Sequence, residues 1–261
     1  MSRPALCDSV GPLKDLIEKI SGDDGPVWLG ALNKMLRKED PWPDLPAVVN
    51  APPPAVKLTF AQAMEKAYDM IGAGAEYALF VAQFGDAQTP GKWTLAMIQA
   101  PDKLTVKNII AALRSVGSKA DTWYNNPDTA VPDNARNCNQ EGSYFLDLQP
   151  NADPDPENAG KSQNDLKKSK NDKVSYGHIT WLERWFLELV HFLMAGVNLD
   201  MNGIWTICAG SLDSDGDVPC VYFDHGHRKV CGSYCSPRSS HAYICARSAV
   251  PRQPQRVGAN S

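Results

Sequence analysis

The character of the chain changes near residue 200, and this change limits the folds that it can adopt. Before that point, apolar residues recur mainly at helical spacing, whereas residues 203–246 hold only short β-prone segments separated by turn-forming residues. No strand–helix–strand repeat runs along the chain, as a parallel sheet would require. The order of elements therefore predicts a mixed α+β fold.

The strongest helix is predicted at 181–195. Thr180 and Glu183 form a capping-box pattern at its start, apolar residues then share one face, and Gly196 ends the run. His191 lies within this helix, where packing or exposure is expected rather than metal ligation. Further helices are predicted at 59–71 and 105–116, and strands at 77–84 and 93–99 (forming a hairpin), 143–148, 203–209, 218–223, 229–234 and 243–246.

Residues 1–55 predict a small helical segment that precedes the main domain. Two short amphipathic helices, one opened by Pro12 and one containing Trp28, lead into a proline-rich linker at 41–54. The remaining residues, 56–261, are enough for one domain with its own core. Within that domain, residues 150–175 carry few aliphatic side chains and predict a solvated loop.

Composition narrows the possible functions. The formal net charge is −4, so the chain lacks the basic field of a typical nucleic-acid-binding protein, and no nucleic-acid partner is expected. The first residues lack the apolar core of a signal peptide, and no apolar run is long enough to predict a membrane span. Seven cysteines, an odd number, disfavour a secreted disulfide framework.

Cysteine and histidine are concentrated near the C-terminus, where five of the seven cysteines and three of the five histidines lie between residues 208 and 245. A zinc site is one interpretation, although the paired Cys-x2-Cys spacing of ribbons and fingers is absent. A nucleophilic Cys/His pair is another, but no surrounding motif singles out its members. The predicted outcome is no catalytic residue, no metal ligand and no cofactor.

Three carboxylates alternate at Asp213, Asp215 and Asp217. This spacing invites a calcium interpretation, yet the glycine and the twelfth residue do not match an EF-hand loop. A tight turn built on Asp and Gly is the favoured alternative.

The window 206–250 has an unusual composition. Lys, Glu, Gln, Met and Trp make up about one in five of the other residues, so its 45 positions should hold about nine of them, but they hold only Lys229. Asn occurs fifteen times in the chain and nowhere between residues 203 and 259. Cys, His, Ser, Tyr, Asp, Gly, Arg, Ile, Val and Pro fill the window instead.

The missing residues share a property of the genetic code. Lys, Glu, Gln, Met and Trp are the residues whose codons cannot end in a pyrimidine, and Asn is encoded by two adenines and a pyrimidine. Randomising the adenines of Asn codons would remove Asn and raise Cys and His, but would not produce Lys or Glu. Packing does not select this set, because ordinary surfaces are rich in Lys and Glu. The composition therefore predicts adenine-specific diversification.

Short motifs in and around the window support the same interpretation, adenine-specific diversification. They are Cys208-Ala-Gly-Ser211, Ser214-Asp-Gly216, Val218-Pro219 with Val221, and Ala246-Arg-Ser-Ala-Val250. Together with the helix at 181–195, they make about residues 140–250 resemble the variable proteins of diversity-generating retroelements from archaea, their viruses and small-genome bacteria. Such a retroelement copies a template repeat, with errors at adenines, into a target gene. Cys245 departs from the pattern, since the relatives have Arg there.

The resemblance implies a C-type lectin-like domain, related to the formylglycine-generating enzymes, with a variable region at about 205–250. It also implies that the varied side chains line a surface for a macromolecular or cell-surface ligand, without catalysis. The expected ligand-binding residues are Cys220, Tyr222, Asp224, His225, His227, Cys231, Ser233, Tyr234, Cys235, Arg238, Ser239, His241 and Tyr243.

Strand alternation assigns faces to these positions. Val221 and Phe223 should share one face of their strand, and Tyr222, Tyr234, Tyr243 and Arg238 should dominate binding, because aromatic and Arg side chains are the usual anchors of an interface. The alternate, exposed positions are expected to be Cys220, Tyr222 and Asp224 on that strand and Lys229, Cys231 and Ser233 on the next. The fixed scaffold is expected at Trp205, Gly210, Gly216, Pro219, Val221 and Val230.

Two other classes of protein stay open at this point. One is a structural domain stabilised by zinc or disulfides, which a native mass measurement with and without chelator would identify. The other is an enzyme related to the formylglycine-generating fold, which would need a positioned and activated pair of cysteines.

Overall fold

The computed structural model describes residues 21, 25–37 and 57–256. The chain divides into two compact units, Met1–Ala55 and Val56–Ser261. In the first unit, helix α1 (Gly25–Leu36) confirms the second of the two predicted helices. The first predicted helix and the linker at 41–54 lie outside the described residues.

The second unit mixes helices and strands, which confirms the α+β class. None of the helices in the described ranges is long and apolar enough to cross a membrane. The helices are α2 (Phe60–Met70), α3 (Gly74–Phe84), α4 (Val106–Ser115), α5 (Cys138–Glu141), α6 (Gln163–Leu166) and α7 (Trp181–Ala195), with a 3-10 helix at Pro156–Asn158. The strands are β1 (Trp93–Met97), β2 (Ala120–Thr122), β3 (Asp133–Asn134), β4 (Tyr144–Leu148), β5 (Trp205–Ile207), β6 (Ser211–Leu212), β7 (Val218–Asp224), β8 (Lys229–Cys235), β9 (Ile244–Ala246) and β10 (Ala249–Arg252).

Capping residues place the long helices where the sequence predicts them. The backbone N–H of Thr59 donates to Gln62 Oε1 at 2.9 Å, and Gln62 N–H donates back to the Thr59 hydroxyl at 3.2 Å. At α7, the backbone N–H of Thr180 donates to Glu183 Oε2 at 2.7 Å, which closes the second predicted capping box. Gly196, with φ of 72°, ends α7 in the left-handed conformation that glycine adopts without strain.

The strand predicted at 77–84 is wrong, and so is its hairpin with 93–99. These residues form α3, and only the second half of the predicted hairpin is a strand, β1. Phe80 is buried, with ring centroids 5.0 Å from Phe84 and 5.2 Å from Phe145 of β4. Tyr77 and Phe80 recur at helical spacing, and burial of that stripe outweighs the strand preference of aromatic residues.

Two larger sheets organise the unit. β2, β8, β7, β5 and β9 form a five-stranded sheet in that order, which confirms the four strands predicted between 203 and 246. β1, β4 and β10 form an antiparallel three-stranded sheet, and β3 pairs with β6. Strand β10 was not predicted. It pairs with β4, where Arg252 Nε donates to Asp147 Oδ2 at 2.7 Å.

Helix α7 packs against β7 on one side and against α2 and α4 on others, so it is buried over most of its length. Phe186 contacts Tyr68 of α2 with ring centroids 4.7 Å apart, and His191 packs against Trp93 at 5.4 Å. His191 therefore has the packing role predicted for it. The helix thus connects the five-stranded sheet to the helical side of the core.

Gly232 of β8 lies where α7 and the sheet come closest. A Cβ there would lie 2.5 Å from Trp181 Cη2 and 2.9 Å from Trp185 Cζ2. We expect Gly232→Ala to lower the free energy of unfolding by roughly 1–3 kcal/mol through overpacking, measured by urea denaturation. Gly226→Ala in the exposed β7–β8 turn is the matched control and should shift it by no more than about 0.5 kcal/mol. Equal losses in the two variants would contradict this assignment.

Candidate ligand-binding surface

The pairing of β7 with β8 sorts the C-terminal window into two faces. The register runs from Val218 opposite Cys235 to Asp224 opposite Lys229. Val221 and Val230 are buried on the inner face, which packs against α7. The predicted alternation is confirmed, because the other face carries Cys220, Tyr222, Asp224, Lys229, Cys231 and Ser233. We call it the outer face.

The outer face is not fully open to solvent. Cys220 and Cys231 were predicted to be exposed, and this is wrong, since they are 0% and 2% exposed. Cys231 lies beside Tyr222, and burial together with a hydrogen bond to the Cys231 sulfur raises the pKa of Tyr222. The two thiols therefore belong to the scaffold rather than to the exposed surface.

The segment 150–175 covers part of the outer face, so the prediction of a solvated loop is wrong for much of it. Val174 packs with Cys220 and Ile207 in a small second core. Gln163 is buried, and its Nε2 donates to the carbonyl oxygens of Ala209 and Ser211, both at 3.0 Å. Gln163 and Asn158, which are buried polar residues of this segment, thus donate to backbone carbonyl groups of the sheet region, whereas its lysine side chains are exposed or half-buried.

Four rings lie side by side where β5, β7 and β9 meet. Trp205 stacks on Tyr222 with ring centroids 4.1 Å apart and planes 8° from parallel. Tyr243 meets Trp205 edge to face at 5.4 Å and stacks on His241 at 5.2 Å. Tyr243 and His241 are exposed, while Tyr222 and Trp205 are half-buried. We call these four residues the aromatic surface.

Trp205 was expected among the fixed scaffold residues, and it is half-buried, packed against the small second core. Strand β5 pairs with β7 so that Ile207 lies opposite Cys220, which puts Trp205 next to Tyr222 on the outer face. The indole packs against the small second core and also contacts the rings of Tyr222 and Tyr243, so the residue is half-buried.

The β7–β8 turn has a defined shape. Asp224 Oδ1 accepts hydrogen bonds from the backbone N–H groups of Gly226 and His227 at 2.9 and 3.3 Å. A side-chain hydrogen bond with His227 lowers the pKa of Asp224, with 2.7 Å between His227 Nδ1 and Asp224 Oδ2. His225 meets the Phe223 ring edge to face at 5.2 Å. The turn therefore holds His225, His227 and Arg228 at the tip of the hairpin.

Not every predicted site residue joins this group. Tyr234 lies on the other face, where its ring centroid is 5.9 Å from that of Tyr124, and Arg238 and Ser239 lie in the connection from β8 to β9. The structure therefore brings Tyr222, His241 and Tyr243 together and leaves Tyr234 apart. Of the thirteen predicted residues, six are exposed (His225, His227, Tyr234, Arg238, His241, Tyr243), five are half-buried (Tyr222, Asp224, Ser233, Cys235, Ser239) and two are buried (Cys220, Cys231).

The carboxylate run at 213–217 is a turn. Asp213 Oδ1 accepts from the backbone N–H groups of Asp215 and Asp217 at 3.0 and 2.9 Å, and Asp213 Oδ2 accepts from the Tyr124 hydroxyl at 2.9 Å. Burial and the neighbouring carboxylates raise the pKa of Asp217. Among the described residues, no group of three or more His, Cys, Asp or Glu side chains is placed to hold a metal ion.

The described cysteines are all free thiols. Burial raises the pKa of Cys138 to about 12 and that of Cys245 to about 11. A hydrogen bond from the Cys220 thiol to Cys235 lowers the pKa of Cys235, which is half-buried on the same outer face. A nucleophilic cysteine requires a readily formed thiolate, and burial opposes that form at Cys138 and Cys245.

Residues of the C-terminal motifs bond to the scaffold. Arg247 donates to Asp200 Oδ1 at 2.8 Å and to the carbonyl oxygens of Asn151 and Ala152 at 2.8 and 2.6 Å. Arg184 of α7 donates to Asp200 Oδ2 at 2.6 Å. Burial opposes ionisation of Asp200, but the two guanidinium groups hold its pKa below the usual value.

Two motif residues, Gly210 and Ser211, lie against the start of α7 and the residues just before it. A Cβ at Gly210 would lie 2.6 Å from the carbonyl oxygen of His178, so the predicted scaffold role of this glycine has a steric cause. Ser211 Oγ accepts from the backbone N–H of Trp181 at 2.9 Å. Gly216 has φ of 84°, which the turn after Asp213 requires.

Sequence reasoning missed the buried charge network around Asp200. Its visible signal is the pair Arg184 and Glu188, four residues apart within a mostly apolar helix. In the structure, Arg184 Nη1 donates to Glu188 Oε2 at 2.7 Å, and both side chains are fully buried. The partners Asp200 and Arg247 are distant in sequence, and no local pattern reveals them.

No protein-family model, curated protein or solved structure matches this chain. The functional conclusion therefore depends on the C-terminal window itself.

Proposed function

We propose that the chain is the variable protein of a diversity-generating retroelement, and that its Val56–Ser261 unit has a C-type lectin-like fold. The unit binds a macromolecular or cell-surface ligand through the outer face and the β7–β8 turn, and it catalyses no reaction. The retroelement rewrites the side chains of this surface between copies of the gene.

One observation carries this proposal. The window 206–250 contains two kinds of residue: motif residues that are buried, hydrogen-bonded or sterically required, and exposed residues of the types that the diversification would produce. Gly210, Ser211, Asp213 and Arg247 are buried or sterically required. Most residues between these motifs that reach solvent are Tyr, His, Arg, Ser or Cys, types that a randomised Asn codon yields, and Lys229 is the exception that such a codon cannot yield. Random mutagenesis needs such a division, because substitution at exposed positions costs little stability.

The architecture supports the lectin-like assignment. That fold presents its C-terminal strands and loops to solvent from a small twisted sheet. Here β5, β7, β8 and β9 come from the C-terminal window and lie in one sheet, with α7 behind them. The connection from β8 to β9 brings His241 and Tyr243 back onto the outer face.

The chemistry of the aromatic surface suits recognition. Tyrosine and tryptophan give a large contact area and lose little side-chain entropy on binding, and serine and histidine add adaptable hydrogen bonds. Trp205 and Tyr222 are stacked before any ligand arrives, which reduces the ordering that binding would otherwise require.

The DNA next to the gene tests the class of protein directly. We expect a near-copy of the codons for about 205–250, differing only at adenines of the copy and adjoining a reverse transcriptase gene. A genome that carries no such repeat would contradict the retroelement.

Sequence variation in a population tests the same proposal through the structure. Deep sequencing of the gene should show amino-acid changes concentrated at Tyr222, His225, His241 and Tyr243, since these side chains are open or half-open to solvent. Codons for Ser211 and Arg247 serve as matched controls within the window and should stay constant, because their side chains are buried and bonded. An even spread of changes over both groups would refute the proposed surface.

A further inference from the structure

A cleft lies on the inner side of the β7–β8 hairpin tip, opposite the aromatic surface. Its volume is about 400 Å³, within the range of about 300–1,000 Å³ typical of ligand pockets. Phe192 from the last turn of α7 and Phe223 of β7 contribute rings, and Met201 and Val197 contribute aliphatic surface.

Two apolar side chains of the cleft are unusually exposed to solvent. Val197 is 49% exposed and Met201 is 41% exposed, so neighbouring aliphatic groups face solvent at one place. Exposed apolar groups that lie together around a concave surface are more typical of a binding site than of isolated surface residues.

The charges around the cleft have one sign. Lys119 and Arg228 are both exposed and both line it, and none of the described lining residues is acidic. Neither cation forms an ion pair with any part of the chain that the structure describes. Lys229, by contrast, has its Nζ 3.5 Å from Asp121 Oδ2. In a chain with net charge −4, this is a local surplus of positive charge.

The backbone positions of the two cations are fixed by hydrogen bonds and by the shape of the turn. The carbonyl oxygen of Lys119 accepts from Val230 N–H at 2.7 Å, next to β8. Arg228 has φ of 49° and follows the turn that Asp224 organises. Asn198, also at the cleft, donates to Ser118 Oγ at 2.8 Å and to Glu188 at 3.0 Å, which fixes the floor.

We propose that this cleft is a second binding site, for an acidic segment of a partner protein that presents a carboxylate beside an aliphatic side chain. The aliphatic group lies on Phe192, Phe223 and Met201, and the carboxylate pairs with Lys119 and Arg228. Charge complementarity selects this occupant, because a basic or neutral segment would leave both cations unpaired. The inference follows from the lining of the cleft and does not require the retroelement.

N-acetyl-L-leucine is the probe that tests the site, because it carries a carboxylate next to an isobutyl group. N-acetyl-L-leucinamide is its neutral match. In an NMR titration of the full chain, the acid should shift the amide signals of Lys119, Val197 and Arg228, with a dissociation constant on the order of 1 mM. The amide should bind at least about fivefold more weakly, since charge-assisted hydrogen bonds are lost.

Three substitutions sharpen the result. Arg228→Gln and Lys119→Gln should each weaken binding of the acid by about threefold to tenfold and leave binding of the amide unchanged. Lys66→Gln is the matched control, an exposed cation of the same unit outside the cleft, and should change neither. Equal affinity for acid and amide, shifts outside the cleft, no saturable shift, or an equal effect of Lys66→Gln would each overturn the proposal. These outcomes leave the variability of the aromatic surface untouched, so the two proposals fail separately.

Discussion

Arg247→Met should lower the free energy of unfolding by about 3–5 kcal/mol, the typical cost of removing one partner of a buried ion pair. Asp200 is fully buried and would keep only one cationic partner, Arg184, which it already shares with Glu188, beside the hydrogen bond from the Thr206 hydroxyl. The carbonyl oxygens of Asn151 and Ala152 would also lose the Arg247 donor, and that of Ala152 would keep the Asp200 backbone N–H. Chemical denaturation followed by circular dichroism measures the loss.

Arg238→Met is the control for this change, because Arg238 is exposed and lies in the same window. Its effect should stay within about 0.5 kcal/mol. Adding Asp200→Asn to Arg247→Met should recover part of the lost stability, since it removes the uncompensated carboxylate. If Arg247→Met alone costs no more than Arg238→Met, the buried network does not stabilise the fold as described.

Changing both Cys220 and Cys231 to Asn should destabilise the protein by roughly 2–4 kcal/mol for each site, through burial of unpaired amide groups and overpacking. Cys220 packs in the small core with Val174 and Ile207, and Cys231 is buried beside Tyr222, so a larger polar side chain would be buried at either site. The melting temperature of the double variant should fall by many degrees, as differential scanning fluorimetry would measure.

The matched comparison changes only exposed predicted site residues. His225, His227, Arg238 and His241, all replaced together by Asn, should leave the melting temperature within a few degrees, since each is exposed. From the sequence alone, these four positions and the two cysteines are expected to tolerate substitution equally. A quadruple variant as unstable as the double cysteine variant would show that burial does not separate the two sets.

Local signals explain why much of the fold could be predicted. Capping boxes at Thr59 and Thr180 and the left-handed Gly196 define helix ends within a few residues of the chain, and no distant contact is needed to recognise them. The alternation along β7 likewise gave the correct two faces, because side-chain direction in a strand has a fixed period.

The failures of prediction all involve contacts between distant parts of the chain. Alternation tells which face Cys220 occupies but not that the segment 150–175 covers that face. The helix at 77–84 buries Phe80 against Phe145, more than 60 positions away, and this contact is not visible in the local sequence. The place of Trp205 beside Tyr222 follows from the pairing of β5 with β7, which the sequence around Trp205 does not show.

The position of the last strand in the sequence determines whether faulty copies of the gene can produce a folded protein. Arg247 and β10 are encoded after nearly all of the diversified window, and β10 completes the sheet with β4 while Arg247 neutralises Asp200. Under the proposed function, an insertion, a deletion or a premature stop introduced while the window is copied would remove both. Such a product would lose a strand and leave the buried Asp200 with one of its two cations, so it would be degraded as a misfolded protein. Only messages that stay in the reading frame would yield a displayed surface.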